Sequence, residues 1–158
     1  MICASLRTVC GFPALVLAAA MLLAAPAVAQ PAVQVSTRDA AGAARLINGY
    51  RAGQGLANLR IDPRLNAAAA AHARVMAATG NLSHDIGVSY AVRMQRLGFA
   101  TASENLGYGY ASVGEAVAAW KASPAHDANL RKPLLTRMGL ARATPRGGRP
   151  YWALILAR

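Results

Sequence analysis

Three histidines and six carboxylates are the side chains from which acid, base or metal chemistry could be built: His72, His84 and His126, Glu104 and Glu115, and Asp39, Asp62, Asp85 and Asp127. Asp62 and Glu115 stand where helix caps are expected, and Asp39 stands at the entrance to the first helix. That leaves His84, Asp85, Glu104, His126 and Asp127 free for function. His84 and His126 each follow a helix terminus among polar neighbours, Gly80-Asn81-Leu82-Ser83 before one and Ser123-Pro124-Ala125 before the other. Loop and cap positions of that kind favour function over packing. His72 lies inside a helix with no partner at helical spacing, so it reads as a half-buried or surface histidine rather than a ligand. The spacing of His84 and His126 does not by itself make a metal motif.

The elements that must hold these residues are legible from caps and periods. Asp62 as N-cap and Pro63 at the first helical position open a helix that carries Leu65, Ala69, His72, Val75 and Met76 on its period and stops at Gly80. A first helix is predicted from about Arg38 to Arg51, ended by Gly53 and Gly55, and a shorter one from Ser89 to Leu97 before Gly98. Ser112-x-x-Glu115 is a capping box opening a helix through Trp120, and Ser123-Pro124 repeats the cap-then-proline start. The alanine run Ala67 to Ala71 predicts close packing of two helices. The period then changes to that of strands: Met138 to Ala143 and Tyr151 to Ala157 read as a hairpin around the turn at 145–148. Another short strand is predicted near Thr101 to Leu106. Helices first and strands last predict an α+β domain whose helices cover a small antiparallel sheet.

The chain has 158 residues, 55% apolar and 15% charged, which excludes an intrinsically disordered protein and predicts one domain. Much of the apolar excess lies at the start, where Arg7 precedes the run Pro13 to Leu23 and then Ala27-Val28-Ala29. That pattern predicts a signal peptide over residues 1–29, cleaved after Ala29, with a retained anchor as the alternative. Secretion to the periplasm or beyond follows. Cys3 and Cys10 leave with the leader, so neither a disulfide framework nor a thiol nucleophile is expected. Residues 30–40 read as a short linker of Pro, Ala, Val and Gln, and 41–158 as the domain. Lys and Arg number 17 against 6 Asp and Glu, so acidic partners are natural. Arg131, Lys132, Arg137, Arg142, Arg146 and Arg149, with Arg158 beyond them, could face an anionic membrane or cell-wall surface, or simply form a solvated face. A destination outside the cytoplasm argues against nucleic acid.

One ordered set of residues is more specific: Asn48-x-x-Arg51, the helix from Leu65 to Met76, Leu82-Ser83-His84, Arg93 to Gly98, Glu104-Asn105-Leu106, Trp120-x-x-Ser123-Pro124-x-His126, Gly139 and Tyr151-Trp152. This set resembles a CAP (SCP-like) domain, the fold of cysteine-rich secretory proteins, antigen five and pathogenesis-related proteins, over about residues 43 to 157. It is most similar to the short secreted bacterial branch. The resemblance implies an α-β-α sandwich whose cleft gathers two histidines and two acids. His84 and His126 match the histidines, and Glu104 the acid of the Glu-Asn motif. Asn105 would lock the cleft backbone, and Ser123 stands where many members have glutamate. The implied ligand cleft is therefore His84, Glu104, Asn105, Ser123 and His126.

Three chemistries follow from that cleft. His84 and His126, with Glu104, could hold Zn2+ or another divalent cation with an open position. Ser123 could act as a nucleophile with His126 as its base, making a serine or metal-dependent hydrolase of the cell envelope. The capping place of Ser123 turns its hydroxyl toward backbone N–H groups instead, which favours binding over catalysis. The resemblance then implies a small apolar or envelope-derived ligand, such as a lipid, with Tyr108-Gly109-Tyr110 as a candidate rim.

Overall fold

The computed structural model describes residues 32–158; the expected signal peptide 1–29, with Cys3 and Cys10, lies outside the described residues. Asp62 and Pro63 do what their chemistry requires. Asp62 is extended, its carboxylate accepts from the Arg64 N–H at 2.8 Å, and helix α2 (Pro63–Thr79) runs from there to Gly80, whose φ of +68° ends it. Hydrogen bonding from Arg64, with Arg137 also in reach, holds the Asp62 carboxyl down to about 2. The other helices are α1 (Ala40–Ala52), α3 (Tyr90–Arg96), α4 (Val113–Ala122) and α5 (Pro124–Leu130). Ser89 caps α3 through the Val92 N–H. Ser112 caps α4 through the Glu115 N–H, while the Glu115 carboxylate reaches one residue further back than a capping box requires, to the Ala111 N–H.

Five strands make the sheet: β1 (Val33–Ser36), β2 (Arg60–Ile61), β3 (Ala102–Tyr108), β4 (Arg137–Pro145) and β5 (Tyr151–Ala157). Their order is β1-β4-β5-β3, antiparallel throughout, and β2 adds a two-residue parallel pairing to β4. Residues 33–36 are thus a strand and not part of a linker. Val33 and Val35 alternate with Gln34 and Ser36 and pack toward the core, but four alternating residues are too few to stand out from irregular chain. The domain accordingly begins before residue 41.

Helices cover both faces of the sheet. Met138, Leu140, Trp152, Leu154 and Leu156 point to α1 and α4, whereas Ala141, Ala143, Ala153, Ile155 and Ala157 point to α2 and α3. Every residue of β5 is therefore buried, and its sequence is apolar without alternation. The two indoles that fill the first layer have their N–H groups satisfied, Trp120 by Leu106 O at 2.8 Å and Trp152 by Tyr110 O at 2.9 Å. The alanines of α2 serve close packing on the sheet rather than on another helix. Gly139 marks the nearest approach, since a Cβ there would fall on the backbone of Leu65 and Asn66. The Asn66 side chain also accepts from the Leu140 N–H at 2.9 Å. These contacts fix α2 against β4 and so fix His72 beneath β3.

Candidate functional site

Strand β3 is the free end of the β1-β4-β5-β3 order, and its alternation sends neighbouring side chains into opposite layers. Glu104 points toward α2 and α3; Ser103 and Asn105 point toward α5. The Glu104 side chain is only 1% exposed, so its charge must be matched inside the protein. Arg93 of α3 does this with two bonds, Nη1 to Oε2 at 2.7 Å and Nη2 to Oε1 at 3.0 Å. His84 adds a third through Nδ1 to Oε1 at 2.8 Å. Arg93 also donates to the carbonyls of His84 and Val88, and His72 Nε2 donates to the carbonyl of Ser83 at 2.9 Å. The segment 83–88 is thereby stitched to α2 and α3. With Nδ1 committed to the carboxylate, His84 presents Nε2 outward on a side chain that is 50% exposed.

His72 is thus not a surface or half-buried residue. It is buried, and its Nε2 lies 3.8 Å from Glu104 Oε1. Its partners come from β3 and from the segment after its own helix, where helical spacing could not reveal them. Burial pushes its imidazole pKa down, against the smaller upward pull of Glu104. Tyr90 is pushed up to about 12 by burial and by the same carboxylate.

On the opposite layer, Asn105 ties β3 to α5 by donating to the His126 carbonyl at 3.1 Å. Asn129 donates to Asn105 Oδ1 at 2.9 Å and to Glu104 O at 3.3 Å. His126 is half-buried; burial lowers its pKa, and the charge of His84 lowers it further, so the two imidazoles sense one another. Ser123 is the N-cap of α5 by position, but its hydroxyl makes no cap bond, contrary to the expectation from sequence. Pro124 supplies no N–H, and the later donors of the first turn are not engaged by it. Asp127 and Asp85 have structural work: Asp127 accepts from Tyr50 at 2.6 Å and from Arg131 at 2.7 Å, and Asp85 from the Tyr90 N–H at 2.9 Å.

An open pocket of about 280 Å³ lies beside His84, lined also by Tyr90, Ser103, Glu104, Asn129 and Lys132. Lys132 Nζ donates to Ser103 Oγ at 2.6 Å. Among the described residues no group of three or more His, Cys, Asp or Glu side chains is arranged to hold a metal ion. Both oxygens of Glu104 already accept hydrogen bonds, from His84 and Arg93 at Oε1 and from Arg93 at Oε2. Tyr108 ends β3 and Tyr110 follows it: Tyr108 rests on Tyr151 with Arg149 over its ring, and Tyr110 packs into the first core layer. Most of the basic set is engaged within the chain, Arg131 with Asp127, Lys132 with Ser103, Arg137 with Asp62, Arg142 with Asp39 and Arg149 with Gly109 O. In sequence Arg93 stands only at the head of the segment Arg93 to Gly98 and Lys132 only in the basic set, and Ser103 carries no signal, because a contact across layers leaves no local trace.

Comparison with known proteins bears on what this arrangement belongs to. Residues 44–156 match the model of the cysteine-rich secretory protein family, CAP. An outer surface protein of Borrelia burgdorferi is similar in fold, with a TM-score of 0.71 at 21% identity over 78% of this chain and 95% of that one. An extracellular protein containing an SCP domain from Bacillus anthracis gives a TM-score of 0.66 at 23% identity, over 75% of this chain and 39% of that one. A cysteine-rich secretory protein of Staphylococcus aureus gives 0.58 at 22% identity, over 74% and 37%. The chain thus spans well under half the length of the last two. No curated protein matches it.

Proposed function

The chain belongs to the cysteine-rich secretory protein (CAP) family, and from that premise we propose that it is a secreted binding protein whose ligand seats against His84 in the pocket over Glu104. One observation carries the reading: the Glu104 carboxylate is buried and clamped by Arg93 and His84, which makes it an orienting group rather than a free acid or base. It fixes the tautomer and direction of His84, so a ligand meets a preset Nε2. His126, half-buried with a lowered pKa, stands by as a second neutral imidazole. Secretion is supported by the leader pattern of residues 1–29, and among the described residues no helix is long and apolar enough to cross a membrane.

Zinc or another divalent cation would meet Glu104 already engaged by Arg93 and His84, so a centre of His84, Glu104 and His126 would compete with those bonds. Hydrolysis is the second reading, favoured by the unengaged hydroxyl of Ser123 one helical turn from His126. An apolar ligand would favour a different place, the groove of about 280 Å³ between α2 and α3 lined by Ala68, Ala71, Val75, Ile86, Val88 and Leu97. Attachment to an anionic envelope surface would rest on Arg146 and on whatever reach the engaged arginines retain.

A fragment screen by amide NMR separates these readings, run on the chain from Gln30, which holds every described element. The binding reading expects fragments to gather on Ser103, Glu104 and Asn129 and to lose that site in His84→Ala. Gathering on Val75, Ile86 and Val88 would replace it with the apolar groove. Covalent capture of Ser123 by a fluorophosphonate, lost in His126→Ala, would replace it with the hydrolase.

A further inference from the structure

We infer that the ligand of this pocket carries an oxyanion, a carboxylate or a phosphate, which docks on the ammonium group of Lys132; the inference rests on the pocket reading above. The sign of the pocket decides the class. Glu104 is its one carboxylate, and that charge is answered by the two bonds from Arg93. The acid nearest to Lys132 in sequence, Asp127, is taken by Arg131 and Tyr50. Lys132 has no carboxylate partner among the described residues; the one hydrogen bond of its ammonium there is to the neutral hydroxyl of Ser103. A cation held beside an open pocket and answered by no anion leaves the pocket net positive, and a ligand oxyanion would complete it.

The ammonium is also held in place in advance. Arg51 is fully buried and pairs with no acid; its guanidinium donates to the carbonyls of Ala57, Leu130, Lys132 and Leu135. Three of these four carbonyls, Leu130, Lys132 and Leu135, fix the backbone from 130 to 135, and Ser103 then holds the end of the Lys132 side chain. Little side-chain freedom remains to be lost on binding. Asn129 cannot substitute as a donor, since its amide N–H groups are directed at Asn105 and at the Glu104 carbonyl. The pocket's volume of about 280 Å³ suits the charged head of a small molecule rather than a length of polymer.

The test is an amide NMR titration of the chain from Gln30 with sodium phosphate and, separately, sodium acetate, at constant ionic strength, beside Lys132→Met and Ser103→Ala. The inference expects shifts at Ser103, Glu104 and Asn129, with Lys132→Met weakening binding about tenfold, the scale of one charge-assisted hydrogen bond. Ser103→Ala keeps the charge but frees it, so a smaller weakening is expected. Response to phosphate alone or to acetate alone tells which oxyanion the pocket takes. The inference falls if Lys132→Met titrates like the unaltered chain, or if the shifts map to Arg146 and Arg158 instead. If uncharged fragments seat in the pocket and neither anion does, the oxyanion class is wrong and the binding site stands. If nothing seats there, both are wrong.

Discussion

Glu104 is the residue on which the site turns, and its environment sets what its loss should do. Replacing it with glutamine keeps the shape and leaves the Arg93 guanidinium, 11% exposed, facing an amide in place of a carboxylate. Breaking a buried pair from one side strands the other charge, so Glu104→Gln should lower stability by about 3 kcal/mol in urea unfolding. A change under a quarter of that would mean that water, not Glu104, solvates Arg93. His72 makes the opposite demand. Its pKa is lowered from 6.5 in the folded chain, so the unfolded chain takes up the proton first. Stability contributed by the neutral ring is present above about pH 6.5 and is lost as the pH falls from there through the folded pKa. His126 acts with the same sign. His72→Gln, which keeps a donor for Ser83 O, should therefore flatten the fall in Tm between pH 7 and pH 5 without abolishing it. An unchanged slope would place the sensitivity elsewhere.

At the scale of elements, what could be read from sequence was what is local. Asp62-Pro63, Ser89 and Ser112 announce helix starts because a cap is made within three residues, and the β4-β5 hairpin is announced by its turn. Caps fail as a guide where the side chain has a choice, as at Ser123, whose position is right and whose hydroxyl bond is missing. β1 and β2 were not legible, because both borrow their hydrogen bonds from β4, more than seventy residues away. Helix α2 illustrates the other limit. Its alanines promised close packing but not the partner, which is a sheet face made of Ala141, Ala143 and Ala153 with Gly139 at its centre. Because a Cβ at Gly139 would meet helix backbone, which cannot rotate away as a side chain can, Gly139→Ala should force α2 off the sheet. A loss of about 3 kcal/mol is expected, with shifted amide resonances through α2. A neutral substitution would show that the layers tolerate a wider gap than their packing suggests.

Across the whole molecule, the site is a product of order in the sheet rather than of any one segment. β3 lies at one end, so Glu104 can meet α3 and the 83–88 segment on one side while Asn105 meets α5 on the other. His84, His126 and Glu104 could be named from sequence through resemblance to a family; the roles of Arg93, His72 and Lys132 at the site could not, since each is tied to it by a contact across layers. The opposite end of the sheet depends on β1, which covers the outer edge of β4 from Arg142 to Pro145 and lays Val33 and Val35 on the second core layer. A chain that starts at Thr37 would lose that strand and expose the edge of β4. Two partly buried valines and a four-residue ladder are worth about 2 kcal/mol, so its Tm should lie about 5 to 10 °C below that of the chain that starts at Gln30. The truncated chain should also associate more readily, because an unpaired edge beside apolar residues is a template for a second strand. The pocket at His84 lies across the sheet, at β3, and the same fragments should bind it in both chains at a temperature where both are folded. Equal melting temperatures would return residues 33–36 to the linker their composition suggests, whereas loss of the pocket together with β1 would mean that the sheet transmits the state of one edge to the other.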